Sequence, residues 1–124
     1  MARILICEDS KLERKIISDI LKKGNHEVIG EAINGKEAVD MFVSLKPDLL
    51  TMDILMKPDG HTAIKQIKKI DPAAKIIIVT SLVDDKGEVV QSVRLGAEGF
   101  VGKPVNEKIL LEEVKRVLNK NNPA

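Results

Sequence analysis

The chain contains no tryptophan, no tyrosine and only two phenylalanines, so aromatic side chains cannot fill its interior. Isoleucine, leucine and valine are abundant instead, and apolar residues make up 44% of the sequence. Its 124 residues are close to the usual size of a single domain, which can bury a core without disulfides or metals as staples. We therefore expect one domain with an aliphatic core.

Cysteine is also scarce. Cys7 is the only one, which excludes a disulfide within the chain. Because it lies in an apolar run, it is predicted to be a small buried hydrophobic residue.

Neither an excess of one charge nor a long apolar run is present. Twenty basic residues oppose 19 acidic ones, and this balance favours neither nucleic acid nor an anionic membrane as a partner. A local basic stretch at Lys65, Lys68 and Lys69 is predicted to be a solvated helix face. No run approaches the roughly 20 apolar residues that cross a bilayer, and residues 1–3 do not resemble a signal peptide. We expect a cytoplasmic protein without membrane insertion, and a monomer.

Two hydrophobic patterns alternate along the chain. Short continuous apolar runs at 4–7, 49–52, 76–79 and 99–102 predict strands that are buried on both faces. Between the runs, apolar residues recur with helical spacing. The five helical stripes are Leu12, Ile16, Ile17, Ile20 and Leu21; Ala38, Met41, Phe42 and Leu45; Ile64, Ile67 and Ile70; Val89, Val90 and Val93; and Leu110, Val114, Val117 and Leu118.

Helix boundary signals agree with this division. Ser10 and Asn34 are each followed three residues later by glutamate, which is typical of a helix start. Gly24 and Gly96 follow helical stretches, as glycines at helix ends do. Five βα units result, and right-handed crossovers place helices on both faces of a parallel sheet. The predicted domain is 1–120, with 121–124 as a frayed tail.

Polar residues follow four of the predicted strands: Glu8-Asp9, Asp53, Thr80 and Lys103. The carboxyl ends of parallel strands face one crevice. Crowded carboxylates repel one another unless a cation lies between them, and Mg²⁺ prefers such oxygen ligands. The hydroxyl and the ammonium could hold phosphoryl oxygens, with Asp53 as the nucleophile.

Simpler interpretations of the same residues stay open. An aspartate at a strand end can cap the next helix, acidic residues often open a first helical turn, and a lysine at a strand end is often only solvated. His26 and His61 lack metal-ligand spacing and are predicted to be ordinary surface or capping residues.

Taken in order, these motifs resemble a response-regulator receiver domain over essentially the whole chain, and stand-alone CheY-like receivers most closely. The matching segments are Glu8-Asp9-Ser10, Met52-Asp53-Ile54 with Met56 and Asp59-Gly60, Thr80-Ser81, Gly96-Ala97, and Phe100-Val101-Gly102-Lys103-Pro104. The resemblance implies a flavodoxin-like (βα)5 fold with strand order 2-1-3-4-5.

The same resemblance implies a role for each site residue. Asp53 is expected to accept a phosphoryl group from a phosphohistidine on a sensor histidine kinase. Asp9 and Asp53 are expected to bind Mg²⁺ directly, Glu8 largely through water, and Leu55 through its backbone carbonyl. These expectations define the metal site.

Further residues are expected to respond to phosphorylation. Thr80 would hydrogen-bond the phosphoryl group, Lys103 would pair with another of its oxygens, and Phe100 would be an aromatic switch. The Lys103–Pro104 peptide bond is expected to be cis. A protein target would bind the fourth helix, the fifth strand and the fifth helix, in chemotaxis or a phosphorelay, without a DNA-binding segment in the chain.

One departure from the family pattern follows Asp53. Proline is expected four residues later and glycine eight later, whereas Lys57, Pro58 and Gly60 stand at the fourth, fifth and seventh positions. We therefore expect this loop to be one residue short.

Two other classes of function remain. A metal-dependent phosphatase could use the same aspartyl-phosphate chemistry, but it usually carries a second acid where Leu55 stands. A pure interaction module with a degenerate site is opposed by the intact set of acidic pair, Asp53, Thr80 and Lys103. A receiver would not be an enzyme beyond the chemistry of its own phosphorylation.

Overall fold

A computed structural model describes residues 1–56, 60–82 and 84–119. Strands and helices alternate throughout, as the two hydrophobic patterns predict. The elements are β1 (Arg3–Cys7), α1 (Lys11–Lys23), β2 (Glu27–Ala32), α2 (Gly35–Leu45), β3 (Leu49–Met52), α3 (Gly60–Ile70), β4 (Ile76–Thr80), α4 (Lys86–Leu95), β5 (Gly99–Gly102) and α5 (Glu107–Asn119).

The five strands among the described residues are all parallel, in the order β2-β1-β3-β4-β5, which confirms the predicted sheet. Alternate residues of each strand point to opposite faces. In β3, Leu50 and Met52 join a core cluster covered by α2 and α3. Leu49 joins a second cluster covered by α1 and α5. The helices therefore cover both faces, and the strand ends form one edge.

The helix caps form at the predicted positions. The Ser10 hydroxyl accepts from the Glu13 N–H, and the Asn34 side chain accepts from the Glu37 N–H. Gly24 and Gly96 cap the ends of α1 and α4. Gly96 has φ of +108°, a conformation that side chains with a Cβ rarely adopt.

The predicted stripe on α1 is wider than the face that the helix buries. Ile17, Ile20 and Leu21 lie in the core, whereas Leu12 is 69% exposed and Ile16 is exposed as well. At 3.6 residues per turn, Leu12 lies roughly 140° around the helix from Ile17. The sheet covers only one side of α1, so Leu12 and Ile16 face solvent.

The predicted stripe on α4 is wrong. Val90 and Val93 are exposed, and the side chain that α4 buries is Ser92. Polar contacts join this helix to α3, since His61 Nε2 lies 3.3 Å from Glu88 Oε2 and 3.4 Å from Ser92 Oγ. Ile70, predicted for the core face of α3, is also exposed.

The basic stretch on α3 is only partly solvated. Lys65 and Lys69 are exposed, but Lys68 is half-buried and pairs with Glu98 and the Ala74 carbonyl. Its methylenes lie over Gly96. The prediction of a solvated face was therefore wrong for Lys68, because a long side chain can bury its stem while its charge finds a partner.

Several predictions about single residues can be compared with the fold. Cys7 is buried as expected, and burial raises the pKa of its thiol far above its usual value. The predicted tail at 121–124 and the loop residues Lys57, Pro58 and Asp59 lie outside the described residues. None of the described helices has the length and apolar character needed to cross a membrane.

Thr51 provides a test of the packing in the centre of the sheet. Its side chain is 1% exposed, and its hydroxyl oxygen has no hydrogen-bond partner among the described residues. Thr51→Val keeps the shape and removes this buried polar group. We expect the free energy of unfolding to rise by about 1 kcal/mol in urea melts followed by circular dichroism.

Thr51→Ser is the matched control, because it keeps the hydroxyl and removes a methyl group. It should lower the free energy of unfolding by about 1 kcal/mol. A valine variant less stable than the natural protein would show that the hydroxyl has a partner.

Candidate functional site

The sheet register brings the polar strand ends together. Cys7 pairs with Met52, and Thr80 pairs with Gly102. Glu8, Asp53 and Lys103 each follow one of these strands directly, while Thr80 is the last residue of its own. All four therefore lie at the carboxyl edge of the sheet.

Three carboxylates form the centre of this edge. Glu8, Asp9 and Asp53 each offer an oxygen, and these atoms lie within 4.8 Å of one another. Glu8 is 1% and Asp53 5% exposed, whereas Asp9 is exposed. The Asp53 N–H donates to the Cys7 carbonyl at 3.1 Å, which joins the two strand ends below the carboxylates.

Lys103 joins two of the three acids. Its Nζ lies 2.5 Å from Glu8 Oε1 and 2.9 Å from Asp53 Oδ2. Its N–H donates to the Thr80 carbonyl at 3.0 Å, and its peptide bond to Pro104 is cis. The end of β5 therefore directs the ammonium into the acidic cluster.

Opposing effects set the protonation of this group. Burial disfavours the charge on Lys103, but hydrogen bonds with Glu8 and Asp53 outweigh it and raise the pKa of the ammonium. For Glu8, burial is the largest effect and raises the pKa of the carboxyl, even though Lys103 and the Ser10 N–H favour its charged form. The charged form of the buried Glu8 carboxylate is thus stabilised by Lys103 against the effect of burial.

Asp53 is held at both oxygens. Oδ1 accepts the Leu55 N–H at 2.9 Å, and Oδ2 accepts from Lys103. Gly60 begins α3 directly against this backbone, since a Cβ there would lie 2.9 Å from the Asp53 carbonyl oxygen and 2.8 Å from Ile54 Cα. Leu55 thus contacts the site through its N–H, which donates to Asp53. Metal binding by the Leu55 carbonyl stays a prediction.

Thr80 and Phe100 differ in their relation to the acids. Thr80 is buried, and its hydroxyl oxygen accepts the Leu82 N–H at 3.2 Å, which leaves the hydroxyl proton for another acceptor. Phe100 is half-buried on β5 opposite Ile78 and packs against the core cluster beneath α2 and α3. Phe100 thus adjoins the core beside the site.

The two histidines lie away from the acidic cluster, and each makes specific contacts. His26 Nδ1 accepts the Ala2 N–H at 3.1 Å, and burial followed by the nearby N-terminal charge lowers the pKa of its imidazole. His61 joins α3 to α4 through Glu88 and Ser92. Sequence reasoning missed these partners because they are distant in the chain.

Residues 4–115 match the family described as the response regulator receiver domain. The chain belongs to this family. The receiver is 43% identical to the chemotaxis protein CheY of Thermotoga maritima over 116 residues, 93% of this chain and 96% of the relative. It is 42% identical to CheY of Bacillus subtilis over 118 residues, 94% and 98% of the two chains.

Solved structures agree with the receiver fold. The response regulator domain of Thermotoga maritima CheB superposes with a TM-score of 0.87 at 33% identity, covering 94% of this chain and 96% of that one. The CheX-CheY-BeF3-Mg complex of Borrelia burgdorferi has a TM-score of 0.88 at 28% identity, covering 93% and 87%. The protein is thus a response regulator receiver with the CheY-like fold.

Replacing Lys103 tests how strongly the buried Glu8 carboxylate destabilises the fold when it has no cation. In Lys103→Met, Glu8 loses its cation, and we expect the free energy of unfolding at pH 7 to fall by about 3 kcal/mol. Burial already raises the folded pKa of Glu8 above its ordinary 4.5, and the variant lacks the lysine that opposes this rise. A protonated Glu8 needs no cation, so its contribution to stability is present below pH 4.5 and is lost as pH rises through the folded pKa. The deficit should therefore be small near pH 4.5 and grow toward pH 7.

Urea melts of the natural protein and of Lys103→Met, at several pH values from about 4.5 to 7, measure this difference in the free energy of unfolding. Lys103 stays charged throughout the range, because its raised pKa lies above 10.5. The control is Lys103→Met with Glu8→Gln, which should recover stability at pH 7. A deficit of equal size at every pH would contradict this account.

Proposed function

We propose that this receiver accepts a phosphoryl group on Asp53 from a phosphohistidine of a sensor histidine kinase, and that phosphorylation changes its affinity for a protein target. The observation that carries the proposal is the Asp53 carboxylate, buried between two further acids and the Lys103 ammonium. The CheY relatives favour chemotaxis as the pathway and the cytoplasm as the location.

The transfer is a substitution at phosphorus. A carboxylate oxygen of Asp53 forms the new P–O bond while the P–N bond of the donor imidazole breaks and its electron pair returns to nitrogen. Lys103, already 2.9 Å from Asp53 Oδ2, can move onto a phosphoryl oxygen as negative charge accumulates. The Leu55 N–H holds the other carboxylate oxygen and thereby orients the nucleophile.

The donor set fits a divalent cation. Three carboxylates and one ammonium give a formal charge of −2, and their oxygens are close enough to share one ion. Mg²⁺ takes oxygen ligands and keeps several waters, which suits an exposed Asp9 beside a buried Asp53. Bound there through Asp9, Asp53 and the Leu55 carbonyl, with Glu8 acting through water, it would offset the repulsion between the acids and the incoming phosphoryl oxygens.

Switching follows from the groups around Asp53. A phosphoryl group adds roughly −1.5 to −2 charge and three acceptor oxygens. The Thr80 hydroxyl can donate to one of them, and Phe100 on the neighbouring strand then repacks. The surface that reports this change is formed by α4, β5 and α5.

The exposed side of α4 supports that surface. Val90 and Val93 lie three residues apart on it and are both exposed, so a partner that covers this side would bury apolar surface. His61 ties this helix to the start of α3, whose first residue packs on the Asp53 backbone. A change at Asp53 on phosphorylation can thus reach α4 through α3 and His61.

A phosphatase is not favoured. The family match identifies a signalling receiver, and Leu55 rather than a second acid stands two residues after Asp53. Without that acid, no side chain at this position can act as the base for an attacking water. The proposal includes that the protein catalyses only its own phosphorylation and dephosphorylation at Asp53.

Intact mass after incubation with acetyl phosphate and Mg²⁺ tests the phosphoacceptor. We expect the natural protein to gain one phosphoryl group, because Asp53 is the carboxylate held by Lys103 and the Leu55 N–H. Asp53→Asn should gain none, while Asp19→Asn, a change of an exposed aspartate on α1, should behave like the natural protein. Continuous release of phosphate without a mass gain would indicate a phosphatase instead.

Methyl NMR spectra test the proposed output surface. On phosphorylation, the methyl signals of Val90 and Val93 should shift, because α4 changes its position relative to α3. Val43 is an equally exposed valine on α2, and its signals should stay unchanged. Equal shifts at all three valines, or none at α4, would exclude α4 as the responding element.

A further inference from the structure

Arg14 contacts the backbone of the acidic pair rather than its carboxylates. Nη1 donates to the Glu8 carbonyl at 2.9 Å and to the Asp9 carbonyl at 3.1 Å. On its other side, Nε lies 3.3 Å from Glu31 Oε1 on β2. The Arg14 side chain is 16% exposed, against 44% for Glu31. One guanidinium thus bridges two consecutive peptide groups of the site and the edge strand.

The two carbonyls that Arg14 holds lie beyond the last residue of β1. The Glu8 N–H still bonds to the Ala32 carbonyl, as a continuation of the β1–β2 ladder. Glu8 is further fixed through its carboxylate, which accepts from Ser10 N–H and Lys103. The Glu8 side chain is therefore held independently of Arg14.

Asp9 has no such support. Among the residues that the structure describes, its carboxylate makes no hydrogen bond or ion pair, and it is exposed. The point from which its carboxylate extends is set by its backbone, whose carbonyl Arg14 holds. Arginine suits this position, because its rigid planar group stays charged and can hold the two carbonyls through Nη1 and Glu31 through Nε at once.

We propose that Arg14 is a positioning residue of the metal site: by holding the carbonyls of Glu8 and Asp9, it directs the Asp9 carboxylate toward Asp53. This inference rests on the proposed function, since it requires a divalent cation at the acidic cluster. Groups behind metal ligands commonly change affinity by about 10-fold or more when they are removed.

Isothermal titration with MgCl₂ tests this role on the unphosphorylated protein. Arg14→Met removes the donors and the charge, whereas Arg14→Lys keeps the charge but loses the planar fork. We expect both variants to raise the dissociation constant for Mg²⁺ about 10-fold. Glu31→Gln keeps both carbonyl contacts and should stay within about 2-fold of the natural protein.

The outcomes separate the inference from the proposed function. Failure of the natural protein to bind Mg²⁺ would overturn the metal site itself. If the natural protein binds and Arg14→Met binds equally well, the metal site stands and the role of Arg14 is wrong. Natural affinity in Arg14→Lys would show that charge alone acts, and a loss in Glu31→Gln equal to that in Arg14→Met would show that Arg14 only ties α1 to β2. Circular dichroism checks that each variant is folded.

Discussion

The contact of Lys103 with Glu8 and Asp53 is the interaction on which the carboxyl edge of this sheet depends. Two carboxylates are buried there, and each would be strongly unfavourable without a cation. The lysine that offsets them lies 95 and 50 residues away in the chain. Because β3 and β4 lie between β1 and β5, the ammonium reaches Glu8 only when these four strands are in place. Assembly of these strands therefore brings the lysine to both acids.

Much of this arrangement could be predicted, because it depends on signals that are local in the chain. The apolar runs identify every strand except β2, which has no such run, and the residue after each run must lie at the carboxyl edge. Ser10, Asn34, Gly24 and Gly96 mark helix ends through hydrogen bonds to residues only a few positions away. Parallel strands joined by helices leave few topologies open, so the cluster of Glu8, Asp53, Thr80 and Lys103 followed from their positions alone.

The orientation of individual helices could not be predicted in the same way. A hydrophobic stripe shows which residues are apolar, but the face that turns inward depends on what lies opposite. On α4, Glu88 and Ser92 contact His61 of α3, and Val90 and Val93 lie on the exposed side. Lys68 likewise found a partner in Glu98, thirty residues on. Such pairs leave no periodic signal in the sequence.

The burial of a serine by α4 has a consequence for how the protein fluctuates. A helix that commits little apolar surface to the core loses little when it separates from its neighbours, so its free energy of local opening lies near the low end of the range within a domain. Strands β1, β3 and β4, whose aliphatic side chains are fully enclosed, lie at the high end. Amide hydrogens of α4 should thus exchange with solvent long before those of the central strands. The receiver thus joins a sheet edge of high local stability to a helix that separates from its neighbours at modest cost.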